Sequence, residues 1–293
     1  MSPEPNENPP QQVGFAQGRY AVERTWGQLP EGLSIGLAST VAVGSDGAVY
    51  LAQRNGPPVL VFEPSGEFRS AWPASLAADP HGINVCRGST DTVALVDRDA
   101  HQVLLCTPEG EVKTTLGQRH RPRFQAPFNH PTSAFMTDDG EVYVADGYGN
   151  CVVHRFSVGG EHLATWGTPG NGPGQFTTPH SVWVDQQDRV LVADRENCRV
   201  QVFDRDGGYL ESWTGFYKPM DIGEDEAGRI YVSDQIPRIS QLDTDGTLIG
   251  SARPVWNTPH GMACAADGRI FFTEMAPSSV VCLTPLDASR EET

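Results

Sequence analysis

The stretch "SVWVDQQDRVLVADRENCRVQVFDRDG", residues 181–207, decides the fold. It holds three short runs rich in Val, Leu and Phe, separated by polar turns. Runs of this length between turn residues read as β-strands joined in hairpins. The unit recurs along the chain. Its second run reads "GAVYLAQR", "DTVALVDR", "GEVYVADGYGN", "DRVLVADREN", "GRIYVSDQ" and "GRIFFTEM" in turn. A third run follows, as in "HQVLLCTPEG", "CVVHRFSVGG" and "RISQLDTDG", and a fourth often closes on Trp or Leu, as in "FRSAWP", "VKTTLG" and "HLATWG". Four antiparallel strands repeated six times, roughly every 40 to 50 residues, predict an all-β, six-bladed β-propeller.

The last repeat lacks a fourth strand, and "YAVERTWGQ" near the N-terminus is a strand without a repeat. The expectation is ring closure, with the N-terminal strand completing the last blade and covering its open edge. Residues 20–286 are then one propeller, residues 1–19 a polar, Pro-rich disordered tail, and residues 287–293 a short C-terminal tail. Net charge is −16, which disfavours nucleic acid and anionic membrane as partners. The start shows no apolar signal-peptide core, and no run is long enough to span a membrane. Six cysteines without CxxC spacing suit buried thiols in a reducing, cytoplasmic setting. Oligomeric state is not legible.

One slot, at the start of each blade's first strand, carries the functional signal. It holds Thr40, His81, Thr132, His180, Met220 and His260 in blades one to six. First strands line a propeller's channel, so His81, His180 and His260, on every second blade, form a triangle of imidazoles around the axis. Three neutral imidazoles suit zinc, or another divalent transition metal, and leave a coordination position for water or substrate. The other histidines, at 101, 120, 130, 154 and 162, do not share the slot. The loops after the second strands place Arg54, Arg98, Tyr148, Arg195, Gln235 and Met275 on one face of the ring. Arg54 and Arg195 are candidate clamps for a substrate carboxylate. Tyr148 stands between two glycines, and positive charge beside a phenol favours its ionised form, which makes it a candidate general base.

At this point the segments "HGINV", "DAHQVLL", "PTSAFMTDDGEVYVADGYGN", "GQFTTPHSVWVD", "VLVADRENCRVQVF" and "TPHGM" resemble the NHL-repeat propellers of peptidyl-α-hydroxyglycine α-amidating lyase, over nearly all of residues 41–275. The resemblance implies a zinc-dependent lyase that splits a carbinolamide into an amide and an aldehyde such as glyoxylate. It implies zinc on His81, His180 and His260, Tyr148 as base, and Arg54 and Arg195 as catalytic and substrate-binding arginines. It also implies a structural calcium near the carbonyls of Val41 and Ile83. The chain departs from the family pattern at Gly149, where the family has a disulfide cysteine, at Gly261, where it has an acid, and at Thr258, where a methionine of the substrate pocket stands. The expected partner is a small molecule carrying a carboxylate.

Three alternatives share the fold. One is a zinc enzyme with another small substrate, such as a hydratase, a hydrolase or a ureidoglycolate-type lyase. Another is a non-enzymatic interaction propeller. The third, a calcium lactonase, needs carboxylates where these slots carry His, Thr and Met. The basic, aromatic loop at residues 117–130 reads as an inter-blade loop beside the channel mouth.

Overall fold

The computed structural model describes residues 11–255 and 257–286. Six four-stranded antiparallel units surround a channel. Blade one comprises Leu37–Val43, Val49–Arg54, Val59–Phe62 and Phe68–Ala71 from the axis outward. The first strands of blades two to six are Pro80–Cys86, Ser133–Met136, Pro179–Val184, Pro219–Glu224 and Pro259–Cys264. These innermost strands meet in ring order, and blade six returns to blade one.

Ring closure is as the sequence predicts. Gly18–Glu23 pairs antiparallel with Ser278–Pro285, Val22 opposite Leu283, and so supplies the fourth strand of blade six. The propeller then continues beyond the predicted boundary. Gln12–Phe15, placed in the tail by composition, forms a fifth strand on the same blade, with Gln12 opposite Ala21. The reason lies in Phe15, which is buried edge-on against Tyr20 and Tyr231 with centroids at 5.8 and 5.6 Å. Residues 1–10 and 287–293 of the two expected tails lie outside the described residues.

The core is divided into six apolar wedges, each between neighbouring blades. A Trp–Gly contact repeats at their outer ends. Trp166, which ends blade three, packs on the turn glycine Gly207 of blade four. A Cβ at Gly207 would lie 2.6 Å from the indole, and its φ of 88° disfavours any side chain. Trp72 meets Gly110 and Trp213 meets Gly246 in the same way. The Trp and Gly punctuation of the sequence is thus an inter-blade packing code.

A second repeated device positions the slots. Each second strand ends in a buried Asp97, Asp146, Asp194, Asp234 or Glu274, or in Gln53 in blade one. Each accepts from backbone N–H groups of the loop that leads into its own blade. Asp97 takes Ala78 and Asp79 at 3.0 Å, Asp194 takes Thr177 at 2.8 Å, Glu274 takes Asn257 at 2.6 Å, and Gln53 takes Gly36 at 2.7 Å. Buried donors of an irregular loop need such partners. Next to these loops the pairing of first and second strands shifts register in five blades, between Ala38/Thr40, Pro80/Ile83, Pro179/Ser181, Pro219/Asp221 and Pro259/Met262. Such a bulge re-aims a side chain out of the strand's ordinary alternation.

Phe15→Ala should lower stability by about 3 kcal/mol, the usual loss for truncating a buried phenylalanine. A urea midpoint unchanged from wild type would show that the fifth strand of blade six does not belong to the folded propeller.

Candidate metal centre

His81, His180 and His260 meet on the axis. Their centroids are 4.9 Å (His81–His260), 5.1 Å (His81–His180) and 5.1 Å (His180–His260) apart. All three are buried, and among the described residues they form the cluster of metal-binding side chains whose ligand atoms all lie within 4.8 Å of one another.

The bulged slots aim these rings inward, and the intervening blades fix their orientation. His81 Nδ1 bonds the Thr132 carbonyl at 2.6 Å, His180 Nδ1 bonds that of Met220 at 2.7 Å, and His260 Nδ1 bonds that of Ser39 at 2.9 Å. A carbonyl only accepts, so each Nδ1 carries the proton and each Nε2 presents a lone pair. Each acceptor lies at or beside the equivalent slot of the next blade. Backbone carbonyls of the slots also tie neighbouring blades together. Ser39 Oγ and Thr40 Oγ1 both donate to His81 O at 2.7 Å, and Thr273 Oγ1 donates to Ser39 O at 2.6 Å.

Burial pushes the pKa of His81 and His180 well below the ordinary 6.5, and the neighbouring imidazoles and arginines push the same way. Burial lowers His260 to about 4. The neutral form that results is the one that binds metal.

Tyr148 caps the triangle. Its hydroxyl lies 3.0 Å from both His81 Nε2 and His180 Nε2 and 3.3 Å from an Arg195 terminal nitrogen. The flanking glycine at 147 is obligatory, because a Cβ there would sit 1.9 Å from the Pro179 carbonyl oxygen. One phenolic proton faces two acceptor nitrogens, and His260 Nε2 has no hydrogen-bond partner among the described residues. Three buried lone pairs converge with one proton between them. A divalent cation satisfies this donor set.

All six loop residues singled out in the sequence, Arg54, Arg98, Tyr148, Arg195, Gln235 and Met275, line one mouth cavity of about 420 Å³, with Thr258 on its wall. The cavity has three arginines and no acid in its lining, in a chain of net charge −16. On the other side of the histidines lies a larger chamber of about 600 Å³. Acids outnumber bases in its lining, with Asp138, Asp139, Asp188, Asp225 and Glu226 among eight carboxylates against Arg87 and Arg205. Tyr148 and the arginines open into the smaller cavity. The imidazoles are the partition between the two.

The sequence matches the NHL repeat family over residues 176–203. The chain is a six-bladed propeller with an NHL-repeat match in its fourth blade. It is 32% identical to human NHL repeat-containing protein 3 over 212 residues, 68% of this chain and 60% of that one. It is 27% identical to peptidyl-α-hydroxyglycine α-amidating lyase 1 of Drosophila melanogaster over 247 residues, 79% of this chain and 44% of that one. A solved gluconolactonase of Xanthomonas campestris superposes with a TM-score of 0.70 at 16% identity, covering 96% of each chain, which shows a shared fold. The relatives of this propeller thus include enzymes and a protein named only for its repeats. No helix among the described residues is long and apolar enough to cross a membrane.

The propeller's departures from the lyase pattern have physical causes. A Cβ at Gly149 would meet the Asn129 side chain at 2.4 Å. At Gly261 it would meet the Thr40 backbone at 2.5 Å, so this backbone has no room for an acid beside His260. Asp221, the buried carboxylate lining the same chamber as Val41 and Ile83, is spent on Ser181 Oγ and on the N–H groups of Ile222 and Met262. Among the described residues no group of three or more His, Cys, Asp or Glu side chains gathers at Val41 and Ile83. Asp79, which the sequence did not single out, forms ion pairs with both Arg54 and Arg98.

The histidines make the metal-free propeller acid-sensitive. Above pH 6.5 they are neutral folded and unfolded, and their contribution to stability is complete. As pH falls from 6.5 through about 4, the unfolded chain takes up protons that the folded chain refuses, so stability drops. Urea midpoints measured across this window should fall more steeply for wild type than for His260→Gln. Equal slopes would contradict a buried, neutral His260.

Proposed function

We propose that the propeller is a zinc-dependent lyase that cleaves an α-hydroxy-amide bearing a carboxylate into an amide and an aldehyde such as glyoxylate. The observation that carries this reading is the Tyr148 hydroxyl, held at 3.0 Å from two metal-competent nitrogens, under Arg195, at the floor of an arginine-lined cavity. The lyase names among the relatives supply the reaction type.

Zinc on the three Nε2 atoms would act as a Lewis acid toward the substrate hydroxyl. The remaining chemistry belongs to the chain. Arg54 and Arg195 hold the carboxylate, and their charge offsets negative charge that develops on oxygen. Tyr148 Oη accepts the hydroxyl proton. The electron pair of that O–H bond forms the new C=O, the C–N bond breaks, and the amide nitrogen leaves with a proton. Tyr148, once protonated, is the nearest donor for that proton. The cytoplasmic setting read from the sequence is part of this proposal, and the six free thiols suit a reducing compartment.

Purified protein should carry about one zinc per chain by elemental analysis, and His180→Ala should lose most of it. The zinc-loaded protein should release glyoxylate from N-acyl-α-hydroxyglycines or from ureidoglycolate. Tyr148→Phe should retain the metal and lose roughly 10²- to 10⁴-fold in kcat. Full metal occupancy without turnover of either substrate class would sink the lyase reading. Absence of metal, with no change on His180→Ala, would leave an interaction propeller.

A further inference from the structure

Three guanidiniums surround Tyr148, and the reaction above uses two. Arg98 is the third. Its guanidinium carbon lies 5.6 Å from the Tyr148 centroid, beside that of Arg195 at 5.2 Å. It projects from the loop after the second strand of blade two, the blade that carries His81.

The three arginines are built alike. Each commits its Nε to an acid: Arg54 to Asp79 at 2.7 Å, Arg98 to Asp99 at 2.9 Å, and Arg195 to Glu196 at 3.1 Å. Each keeps at least one terminal nitrogen without a partner among the described residues, on side chains that line the cavity. Asp79 joins two of them, with Oδ1 on Arg54 and Oδ2 on an Arg98 terminal nitrogen at 2.5 Å. Asp79 is buried, and one carboxylate holds two guanidiniums side by side. Glu196 is likewise shared between Arg195 and Lys218, at 2.8 Å from Lys218 Nζ. The mouth is left with open guanidinium N–H donors in excess of what one substrate carboxylate takes up.

We infer that Arg98, oriented by Asp79, is a specificity-determining residue that binds a second carboxylate, on the amide side of a dicarboxylate substrate. The inference rests on the site proposed above and names its substrate class. A monocarboxylate fills the sites of Arg54 and Arg195 and leaves Arg98 unmatched. A dicarboxylate engages all three. The reaction above gives Arg98 no part in the bond-breaking step, so its effect falls on binding and selectivity.

The test is calorimetric and needs no turnover. Glycolate and malate, a 2-hydroxy monocarboxylate and a 2-hydroxy dicarboxylate, are titrated into zinc-loaded protein. Malate should bind wild type at least about tenfold more tightly, the scale of one charge-assisted hydrogen-bonded pair. Arg98→Met should bring the malate-to-glycolate ratio close to one, and Arg98→Lys should restore part of it. If Arg98→Met misfolds, Arg98→Gln serves the same purpose. Equal affinity for the two acids in wild type would overturn the inference. So would equal weakening of both acids by the substitution, which is what a purely structural Arg98 gives, and so would failure of both to bind. An Arg98-dependent malate preference without lyase turnover would overturn the proposed reaction and leave the inference standing. Glyoxylate release without that preference would do the reverse.

Discussion

The centre of this molecule depends on one type of hydrogen bond, donated by an imidazole Nδ1 to a backbone carbonyl of the neighbouring blade. Three such bonds, to Ser39, Thr132 and Met220, fix the tautomers of His260, His81 and His180. They also explain the alternation around the ring. A histidine in all six slots would crowd the axis and leave no blade free to act only as acceptor. Blades two, four and six offer the axis-facing nitrogen, and blades one, three and five hold it still. Because any residue presents a carbonyl, the accepting blades are free to carry Ser-Thr, Pro-Thr and Pro-Met at the same place.

The outer architecture serves that geometry. Buried acids at the ends of the second strands pin the loops from which the slots emerge. The register shifts beside those loops turn the slot residue toward the axis. The Trp–Gly contacts at the rim set the spacing between blades. An ångström of drift at the rim would move an imidazole on the axis, and the Trp–Gly packing leaves little room for drift. Ligand geometry at the centre is thus maintained by packing far from it.

Much of this was legible in the sequence because it repeats. The strand pattern, the histidine slot and the six loop residues each recur with the period of the fold, and those six residues do share one cavity. What escaped had no repeat to reveal it. Asp79 matters through where it sits between two arginines, and nothing in "ADPHG" signals that. The carbonyl acceptors are backbone atoms and leave no mark on residue identity. The buried acids in "VAD", "VSD" and "TEM" were visible, but an Asp at a strand end reads as a solvated stop until the loop folds over it. The fifth strand of blade six is short and interrupted by Gly14, so its two apolar residues, Val13 and Phe15, gave too little periodicity against a polar background. At Gly261 a local fact, the approach of the Thr40 backbone, decides whether an acid fits, and only coordinates express it.

The two chambers on either side of the imidazoles differ in sign, with arginines at one mouth and carboxylates at the other. The ring is therefore an electrical dipole along its own axis. An anion approaching from bulk solvent is drawn to one face and turned away from the other, well before it touches either. Added salt weakens the attraction that tells the two faces apart.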